Sequence, residues 1–416
     1  MFENIIEQDA VVEQLSLEWR KGVLPRALLF YGEPYTGKLS TALELARVVT
    51  CTQRGEWSCS CRSCSRHRVL EHPYLILTGS RYLEEETAAA SDTLLRTRRE
   101  GARYLFIRAV RKLTKRLDPR LWEGEEQKLK KIYPQMEELE ESLDLLSPEK
   151  ELPPEEELKK ILKRTGTLLN AICEVLPKDN IPIDQIRNIG MWSHTTSADS
   201  AKVVILEKAD RMSDGSKNAL LKMLEEPPEN TYYILLTSKK GAIIPTITSR
   251  LRHYRFVPRD ENTSRIVMEK IFRTGEEVPY TDLRAFFLAW RGVPVQSLRQ
   301  EAWSFVERIR RGEEWELKEK AEFLKERGTH ELFTPFLEEL SFELQRRLAL
   351  LHKNGDNSGS SESAGKEEAL ISRETLKRWN ELIRRSVRRW EAYNLAPEVQ
   401  LETLYYSMEE SFGENR

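Results

Sequence analysis

Three residues, Gly32, Gly37 and Lys38, stand at the spacing of a loop that binds nucleotide phosphates. They lie in LLFYGEPYTGKLSTALELA, residues 28–46, between a short apolar run and a run with helical character. In such a loop the glycines let backbone N–H groups surround the phosphates, and the lysine reaches the terminal phosphates. The spacing therefore predicts the architecture of a phosphate-binding loop. The alternative is a glycine-containing turn that carries a surface lysine.

The positions that would bind magnesium and activate water depart from the pattern of an ATPase. Leu39 stands where the loop needs a Ser or Thr hydroxyl, and Ser40 lies about 100° further around the helix. The apolar run VVILEKADRM, residues 203–212, ends on Glu207 and Lys208, where an ATPase usually carries an Asp and a Glu. Because a lysine cannot act as the carboxylate base, two independent positions argue against ATP hydrolysis. Binding of ATP without turnover stays open.

Four of the five cysteines fall within fourteen residues, in the pattern C-x7-C-x-C-x2-C. They are Cys51, Cys59, Cys61 and Cys64. Four thiolates at this spacing suit a tetrahedral Zn(II) ion, and a site with four protein ligands is structural rather than catalytic. His67, three residues beyond the last cysteine, is an alternative ligand. The other interpretation is a set of reduced surface thiols, although clustering would favour their oxidation.

Apolar and amphipathic runs alternate around these residues. RALLFYG at 26–32, AKVVILEKA at 201–209 and TYYILLTS at 231–238 are typical of buried strands. The segments between them have helical periodicity, so the pattern predicts an α/β fold with a parallel sheet covered by helices. After about residue 256 only helical patterns follow, which adds an all-α part.

Two segments differ in character from the rest of the chain. Residues 82–178 are predicted to form a helical insert of three amphipathic helices, interrupted at Pro119 and at 148–154. The basic stretch 96–116 allows a helix that contacts phosphates, whereas the acidic residues after it favour a helical hairpin with paired charges. Residues 353–369 are polar and rich in glycine and serine, which predicts a disordered loop.

The overall charge and hydropathy limit the classes of function. A net charge of −2 argues against a protein that coats DNA by bulk electrostatics, but it allows a local basic patch. No apolar run approaches the roughly 18 residues that a membrane span requires. The N-terminal sequence also has no signal-peptide pattern. We therefore expect a cytoplasmic protein without a membrane partner.

Several longer motifs occur in the order found in one protein family. They are FENIIEQDAVVEQL, LPRALLFYG, EHPYLIL, IPIDQIRNI, KADRMSDGSKNALLKMLEEPPENT and IIPTITSRL. Over residues 1–78 and 180–256 the chain resembles the AAA+ subunits of bacterial DNA polymerase III clamp loaders, most of all the delta-prime type. The resemblance implies a P-loop, RecA-like core, a helical lid and a helical collar. The corresponding domains are a core at 1–255 with a zinc module at 51–64, a lid at 256–298 and a collar or oligomerisation domain at 299–416.

A Ser-Arg-Cys motif in that family carries an arginine that reaches into the ATP site of the neighbouring subunit. Here the motif reads Ser249-Arg250-Leu251, which keeps the arginine without the cysteine. The resemblance implies that Arg250 is an arginine finger acting in trans, a role that suits a planar and permanently charged guanidinium. The alternative is an arginine at a helix C-terminus, where the helix dipole stabilises it.

The family also has a zinc module, and its second and third cysteines are two residues apart. In this chain only Ser60 separates Cys59 from Cys61. The resemblance still implies a structural Zn(II), while the shorter spacing leaves the true ligand set open.

These features imply a non-hydrolysing clamp-loader subunit that helps to load the sliding clamp on primer–template DNA. Its partners would be the delta and tau/gamma subunits, the clamp and the DNA. One alternative is a catalytically active ATPase of the tau/gamma type, which Leu39 and Lys208 argue against. Another is a zinc-containing, nucleic-acid-binding adaptor in which the AAA+ core is only a platform.

Overall fold

The computed structural model describes most of the chain in nine ranges. They are 1–79, 84–177, 180–195, 201–275, 280–290, 295–313, 329–355, 371–393 and 397–413. The chain divides into two compact units, Met1–Trp290 and Arg291–Arg416. The predicted borders of core, lid and collar do not follow from this division and stay a prediction.

A parallel sheet forms the centre of the first unit. In the described residues it has five strands in the order β2-β3-β4-β1-β5. They are β1 (Ala27–Tyr31), β2 (Leu75–Gly79), β3 (Lys202–Glu207), β4 (Thr231–Thr237) and β5 (Arg252–Arg255). The first four are nearly continuous apolar runs, as expected of strands buried on both faces. The predicted α/β core is therefore confirmed.

Helices precede, connect and follow these strands. In the first unit they are α1 (Asp9–Arg20), α2 (Lys38–Thr50), α3 (Arg62–Arg68), α4 (Glu84–Thr97), α5 (Glu100–Thr114), α6 (Glu126–Lys130), α7 (Tyr133–Leu145), α8 (Glu155–Cys173), α9 (Ile183–His194), α10 (Asp214–Glu225), α11 (Pro245–Thr248), α12 (Glu261–Phe272) and α13 (Leu283–Trp290). Short 3-10 turns lie at Lys115–Leu117, Pro119–Trp122, Ala209–Arg211 and Lys240–Ala242.

The second unit is helical throughout its described residues. Its helices are α14 (Val295–Arg311), α15 (Thr329–Gly355), α16 (Arg373–Tyr393) and α17 (Pro397–Gly413). This confirms the predicted all-α part. Of the predicted disordered loop, residues 353–355 belong to the end of α15 and residues 356–369 lie outside the described residues. No helix in the described ranges is long and apolar enough to cross a membrane.

The parallel arrangement brings the carboxyl ends of the strands to one edge of the sheet. β1 lies between β4 and β5, with Tyr31 opposite Thr237 on one side and Arg255 on the other. β3 lies between β2 and β4, with Glu207 opposite Gly79. Loops that follow the strands at this edge are where ligands bind in open α/β sheets.

Different helices cover the two faces of the sheet. Phe30 and Ile205 belong to the face that packs against α1 and α2. Leu29 and Val204 belong to the opposite face, which packs against the insert together with α9 and α10. The insert is thus an integral part of the core of the first unit.

The insert has more helices than its periodicity predicts. The structure describes five, α4 to α8, where three were predicted. The first predicted helix is split at Arg98, whose φ of 51° lies in the left-handed region. The second is split before Pro134, which occupies the first turn of α7 and cannot continue a preceding helix.

Candidate functional site

The loop that is predicted to bind phosphates connects β1 to α2. Gly32 follows β1 with φ 151°, and a Cβ there would lie 2.4 Å from the carbonyl oxygen of Phe256. Gly37 has φ 92° and immediately precedes α2. Both positions therefore require glycine, and the loop presents the N-terminus of a 13-residue helix, where the helix dipole favours anions.

The side chain of Lys38 forms hydrogen bonds with other residues of the same loop. Its Nζ donates to the carbonyl oxygen of Gly32 at 2.8 Å, to Thr36 Oγ1 at 3.1 Å and to the carbonyl oxygen of Glu33. The ammonium group that would meet the terminal phosphates thus has acceptors within its own loop.

Two residues from later in the chain cover the outside of the loop. Arg259 donates from Nε to the carbonyl oxygen of Tyr35 at 3.1 Å and from Nη2 to that of Thr36 at 3.4 Å. Burial lowers the pKa of Arg259, although Glu7 opposes the shift. The ring of Tyr35 stacks on Phe287 of α13, with centroids 5.4 Å apart. Sequence reasoning missed both covering residues, because nothing local links them to the loop.

The acidic strand end is occupied by a cation from the insert. Arg116 forms an ion pair with Glu207, and the two side chains are only 3% and 13% exposed. Arg116 also donates from Nε to the carbonyl oxygen of Gly79 at 2.9 Å. Lys208 follows with φ 51°, which turns the chain away from the strand direction. The carboxylate of Glu207, at the position that holds magnesium in an ATPase, is therefore neutralised by Arg116 of the same chain.

Arg250 lies on the surface after the short helix α11. Its Nη1 donates to the carbonyl oxygen of Thr246 at 2.9 Å, and its Nη2 donates to Glu225 Oε1 at 2.8 Å. The side chain is 36% exposed, so the guanidinium can be reached from outside the molecule. Thr237, at the end of β4, donates to Asp210 Oδ1 at 2.5 Å and acts as a strand-end hydrogen-bonding residue.

The four clustered cysteines converge at the C-terminal end of α2. Cys51 follows the last residue of that helix, and Cys61 caps the N-terminus of α3 by accepting from the backbone N–H of Cys64 at 3.5 Å. Their sulfur atoms all lie within 4.8 Å of one another, with Cys51 at 3.7 Å from Cys59 and 3.9 Å from Cys61. Zn–S bonds of about 2.3 Å in a tetrahedron place sulfur atoms about 3.8 Å apart, so the group fits a metal ion.

The thiol pKa values in this group are moved in opposite directions. Burial raises the pKa of the Cys64 thiol. At Cys61 burial acts in the same direction, but hydrogen bonds with Thr52 and Cys64 lower the pKa to about 6. A thiol that deprotonates near pH 6 is ready to serve as a metal ligand at neutral pH.

His67 lies beside the four sulfur atoms but belongs to a different contact network. Its Nε2 is 2.8 Å from Thr50 Oγ1, and its ring stacks on His72 with centroids 4.2 Å apart. Burial and the neighbouring charges hold the pKa of His67 well below its usual range. Among the described residues, the group that could hold a metal is made of cysteines alone, so the geometry does not support His67 as a substitute ligand.

Several basic residues of the insert contact groups within the protein. Arg103 donates to the carbonyl oxygens of Leu146 at 3.0 Å and Lys150 at 2.8 Å. Arg111 pairs with Glu71 at 2.6 Å and Glu140 at 2.9 Å. These contacts agree with the paired-charge interpretation of the insert.

A groove between α9 and α10 has basic residues around an apolar floor. Its volume is about 630 Å³, and Ile183, Met191 and Met223 line it. Four residues add polar or positive groups, namely Arg187, His194, Asn218 and Lys222. Met191 is 58% exposed. Arg187 and Lys222 lie in the motifs IPIDQIRNI and KADRMSDGSKNALLKMLEEPPENT, whose local pattern does not distinguish them from other surface charges.

Comparison with known proteins identifies a family for this chain. Residues 7–260 match the family model described as DNA polymerase III, delta subunit. The chain is 37% identical over 84 residues to DNA polymerase III subunit delta′ of Haemophilus influenzae, covering 20% of this chain and 26% of that protein. It is 37% identical over 93 residues to DNA polymerase III subunit tau of Bacillus subtilis, covering 22% and 16%. These matches therefore span about a quarter or less of the relatives' own length.

Among solved structures, a DNA polymerase III gamma subunit-related protein from Thermotoga maritima is similar to this chain. The match covers 56% of this chain and 81% of that one, with 22% sequence identity and a TM-score of 0.29.

Proposed function

The chain belongs to the family of DNA polymerase III delta subunits, and from this premise we propose that it is a non-hydrolysing, delta-prime-type AAA+ subunit of a bacterial clamp loader. The observation that carries the proposal is the buried ion pair of Arg116 with Glu207. In a hydrolysing subunit this carboxylate would face magnesium, and the next residue would be the carboxylate that activates water. Here the guanidinium of Arg116 lies beside this carboxylate, where magnesium would be. Lys208 stands at the position of the second carboxylate.

The magnesium hydroxyl is also absent, because Leu39 is an apolar residue that is only 6% exposed. Phosphoryl transfer depends on metal ions that neutralise charge between the β- and γ-phosphates. A site without the hydroxyl, the free carboxylate or the base lacks the groups that position magnesium and activate water. The retained loop can still hold an anion through its backbone and the helix dipole.

ATP turnover by the isolated chain tests this proposal. We expect a rate at background level that Lys38→Ala does not change. Lys240→Ala is the matched control, since this lysine lies over the ring of Tyr31 at the same edge of the sheet, 4.4 Å from its centroid. A measurable rate that disappears only in Lys38→Ala would overturn the proposal and favour an active tau/gamma-type ATPase, which the match to the tau subunit keeps as the second candidate.

Arg250 is the proposed contribution to a neighbouring subunit. Its exposed guanidinium is held by one carboxylate and one carbonyl, both of which a phosphate could replace. In the assembled loader we expect Arg250→Ala to lower ATP hydrolysis on the order of 10³-fold, as removal of an arginine finger does elsewhere. Arg252→Ala is the control, because Arg252 is exposed and pairs with Glu18. Unchanged hydrolysis in the Arg250 variant would refute this role.

Zn(II) is the metal that we propose for the four cysteines. Thiolates select zinc among the common divalent ions, and four of them would leave no open coordination position. Cys51, Cys59, Cys61 and Cys64 would hold the ion, which would fix the loop after α2. We expect about one zinc per chain by elemental analysis of the purified complex. A fully reduced, correctly folded chain without metal would contradict this assignment.

The proposed partners are the delta and tau/gamma subunits, the sliding clamp and primer–template DNA. The groove with Arg187 and Lys222 supports the contact with DNA, since positive side chains near exposed helices bind phosphates. We expect Arg187→Ala or Lys222→Ala to weaken DNA binding by the assembled complex and to reduce its salt dependence by about one ion. Lys217→Ala is the control, because Lys217 pairs with Asp214 outside the groove.

Isolation of the native complex separates these proposals from a free-standing adaptor. We expect the other loader subunits and the clamp to co-purify with this chain, with zinc and ATPase activity measured on the same sample. A lone, zinc-containing chain that binds nucleic acid would instead favour the adaptor.

A further inference from the structure

A buried arginine connects α2 to the cysteine group. Arg47 is only 4% exposed, and its Nε and Nη2 donate to the two carboxylate oxygens of Glu44 at 3.0 and 2.7 Å. Nη2 also donates to the carbonyl oxygen of Gly55 at 2.9 Å, and Nη1 to that of Glu56 at 3.0 Å. The remaining contact runs from Nη1 to Cys64 Sγ at 3.0 Å.

These contacts engage all five N–H donors of the guanidinium. A buried charge is costly unless its hydrogen bonds are made, so a fully engaged guanidinium is held in one orientation. Glu44 is fixed in turn, because its Oε1 accepts from the backbone N–H of Phe2 at 3.3 Å. Arg47 therefore presents one donor to a cysteine sulfur from a rigid support.

The other contacts of Arg47 act on the segment that carries the remaining sulfur atoms. Gly55 and Glu56 lie between Cys51 and Cys59, and both give their carbonyl oxygens to this guanidinium. The same side chain thus contacts a sulfur and fixes the loop that positions two others.

We propose that Arg47 is a positioning residue of the cysteine metal site, which orients the Cys64 sulfur and slows the loss of the metal. This inference rests on the proposed Zn(II) site. Four thiolates around a divalent ion carry a net charge of −2, and a donor to one sulfur stabilises that charge in a buried site. A hydrogen-bonded sulfur is also a weaker nucleophile, so oxidants and competing ligands attack it more slowly.

Zinc release from the purified full chain tests this role. A chromogenic chelator in excess gives the rate for the wild type, Arg47→Gln, Arg47→Lys and Arg68→Gln. Arg68 is the matched control, because its Nη2 donates to the carbonyl oxygens of Trp57 and Cys59 in the same loop, at 3.3 and 3.1 Å. We expect Arg47→Gln to release zinc about 10- to 100-fold faster, with Arg47→Lys between it and the wild type. Release from Arg68→Gln should stay close to the wild-type rate.

A spectroscopic measurement separates a contact to sulfur from general support of the loop. In the Co(II)-loaded chain, loss of a hydrogen bond to a thiolate shifts the sulfur-to-metal charge-transfer band. We expect this shift in Arg47→Gln and not in Arg68→Gln. Equal bands and equal release rates in the two variants would overturn the proposal. If Arg47→Gln does not fold, the Arg47→Lys variant decides by the same two measurements.

The two levels of the proposal fail differently. A wild-type chain that takes up neither Zn(II) nor Co(II) refutes the metal site itself, and with it the role of Arg47. A wild-type chain that binds both metals, with variants that behave alike, refutes only Arg47.

Discussion

Helix α2 has a different kind of site at each of its ends. At its N-terminus the loop with Gly32 and Gly37 keeps the backbone shape of a phosphate site, while the side chains around it contact one another. At its C-terminus the sulfur atoms of four cysteines converge to distances that fit a tetrahedral metal. The backbone forms the predicted phosphate site at one end of α2, and four side chains form the candidate metal site at the other.

The difference shows which parts of a site can be lost separately. A phosphate cradle is made by backbone N–H groups and glycine conformations, so it persists as long as the chain folds this way. Hydrolysis needs particular side chains, and we propose that Leu39 and Lys208 stand where two of them would be. A thiolate metal site has no backbone substitute, since each ligand is itself a side chain.

Removal of one sulfur gives the largest effect that we expect at the C-terminal end. At a zinc concentration about 1,000 times the dissociation constant, binding stabilises the wild type by about 4 kcal/mol, and Cys64→Ser should lose this response. The measurement is urea unfolding with and without zinc. Cys173→Ser is the control, because Cys173 lies in α8 and not in the group. An equal zinc response in Cys64→Ser would remove the contrast between the two ends.

At the N-terminal end of α2, the next prediction concerns the ion pair of Arg116 with Glu207. Arg116→Met removes the ion pair of the nearly buried carboxylate of Glu207, which we expect to lower the free energy of unfolding by about 3 kcal/mol. Arg164→Met should change it much less, because its pair with Glu138 is exposed. Urea unfolding measures both variants. A similar decrease in the free energy of unfolding in both variants would mean that the Arg116 pair contributes no more than an exposed ion pair.

Acid should affect the cysteine end of α2 through His72. Burial, with the charges of Lys115 and Arg66, lowers the pKa of this histidine from 6.5 to about 4. The unfolded chain binds the proton first, so stability is complete above about pH 6.5 and falls towards pH 4, by at most about 3 kcal/mol. In His72→Gln the free energy of unfolding should depend less on pH over this range. Parallel pH profiles for the two chains would contradict this cause.

The smallest effect concerns Tyr35, a residue of the predicted phosphate-binding loop that is covered by Phe287. Tyr35 has φ 61°, a conformation that costs a non-glycine residue about 1 kcal/mol, and its ring stacks on Phe287. Tyr35→Ala loses the stacking and keeps the strained backbone, so we expect a loss of about 1 kcal/mol. Tyr35→Gly also loses the stacking but relieves the strain, so it should be less destabilising in thermal unfolding. The reverse order would show that strain does not matter here.

Much of the fold and the position of both sites could be predicted from local sequence. Buried strands, the glycine and lysine spacing and the clustered cysteines are signals carried by neighbouring residues. Arg116 and Arg259 were missed as site residues because their partners lie 91 and more than 220 residues away. Such pairs form only when the sheet and its covering helices bring distant segments together, and no local pattern records them.

The insert also affects how the sheet meets other molecules. β2 is an edge strand, and its outer carbonyl groups could accept a strand from a second chain. Instead, the carbonyl oxygen of Leu75 accepts from Lys115 Nζ at 3.4 Å, and that of Gly79 accepts from Arg116 Nε at 2.9 Å. Two positive side chains of the insert therefore block this edge against strand addition, which disfavours edge-to-edge pairing through β2.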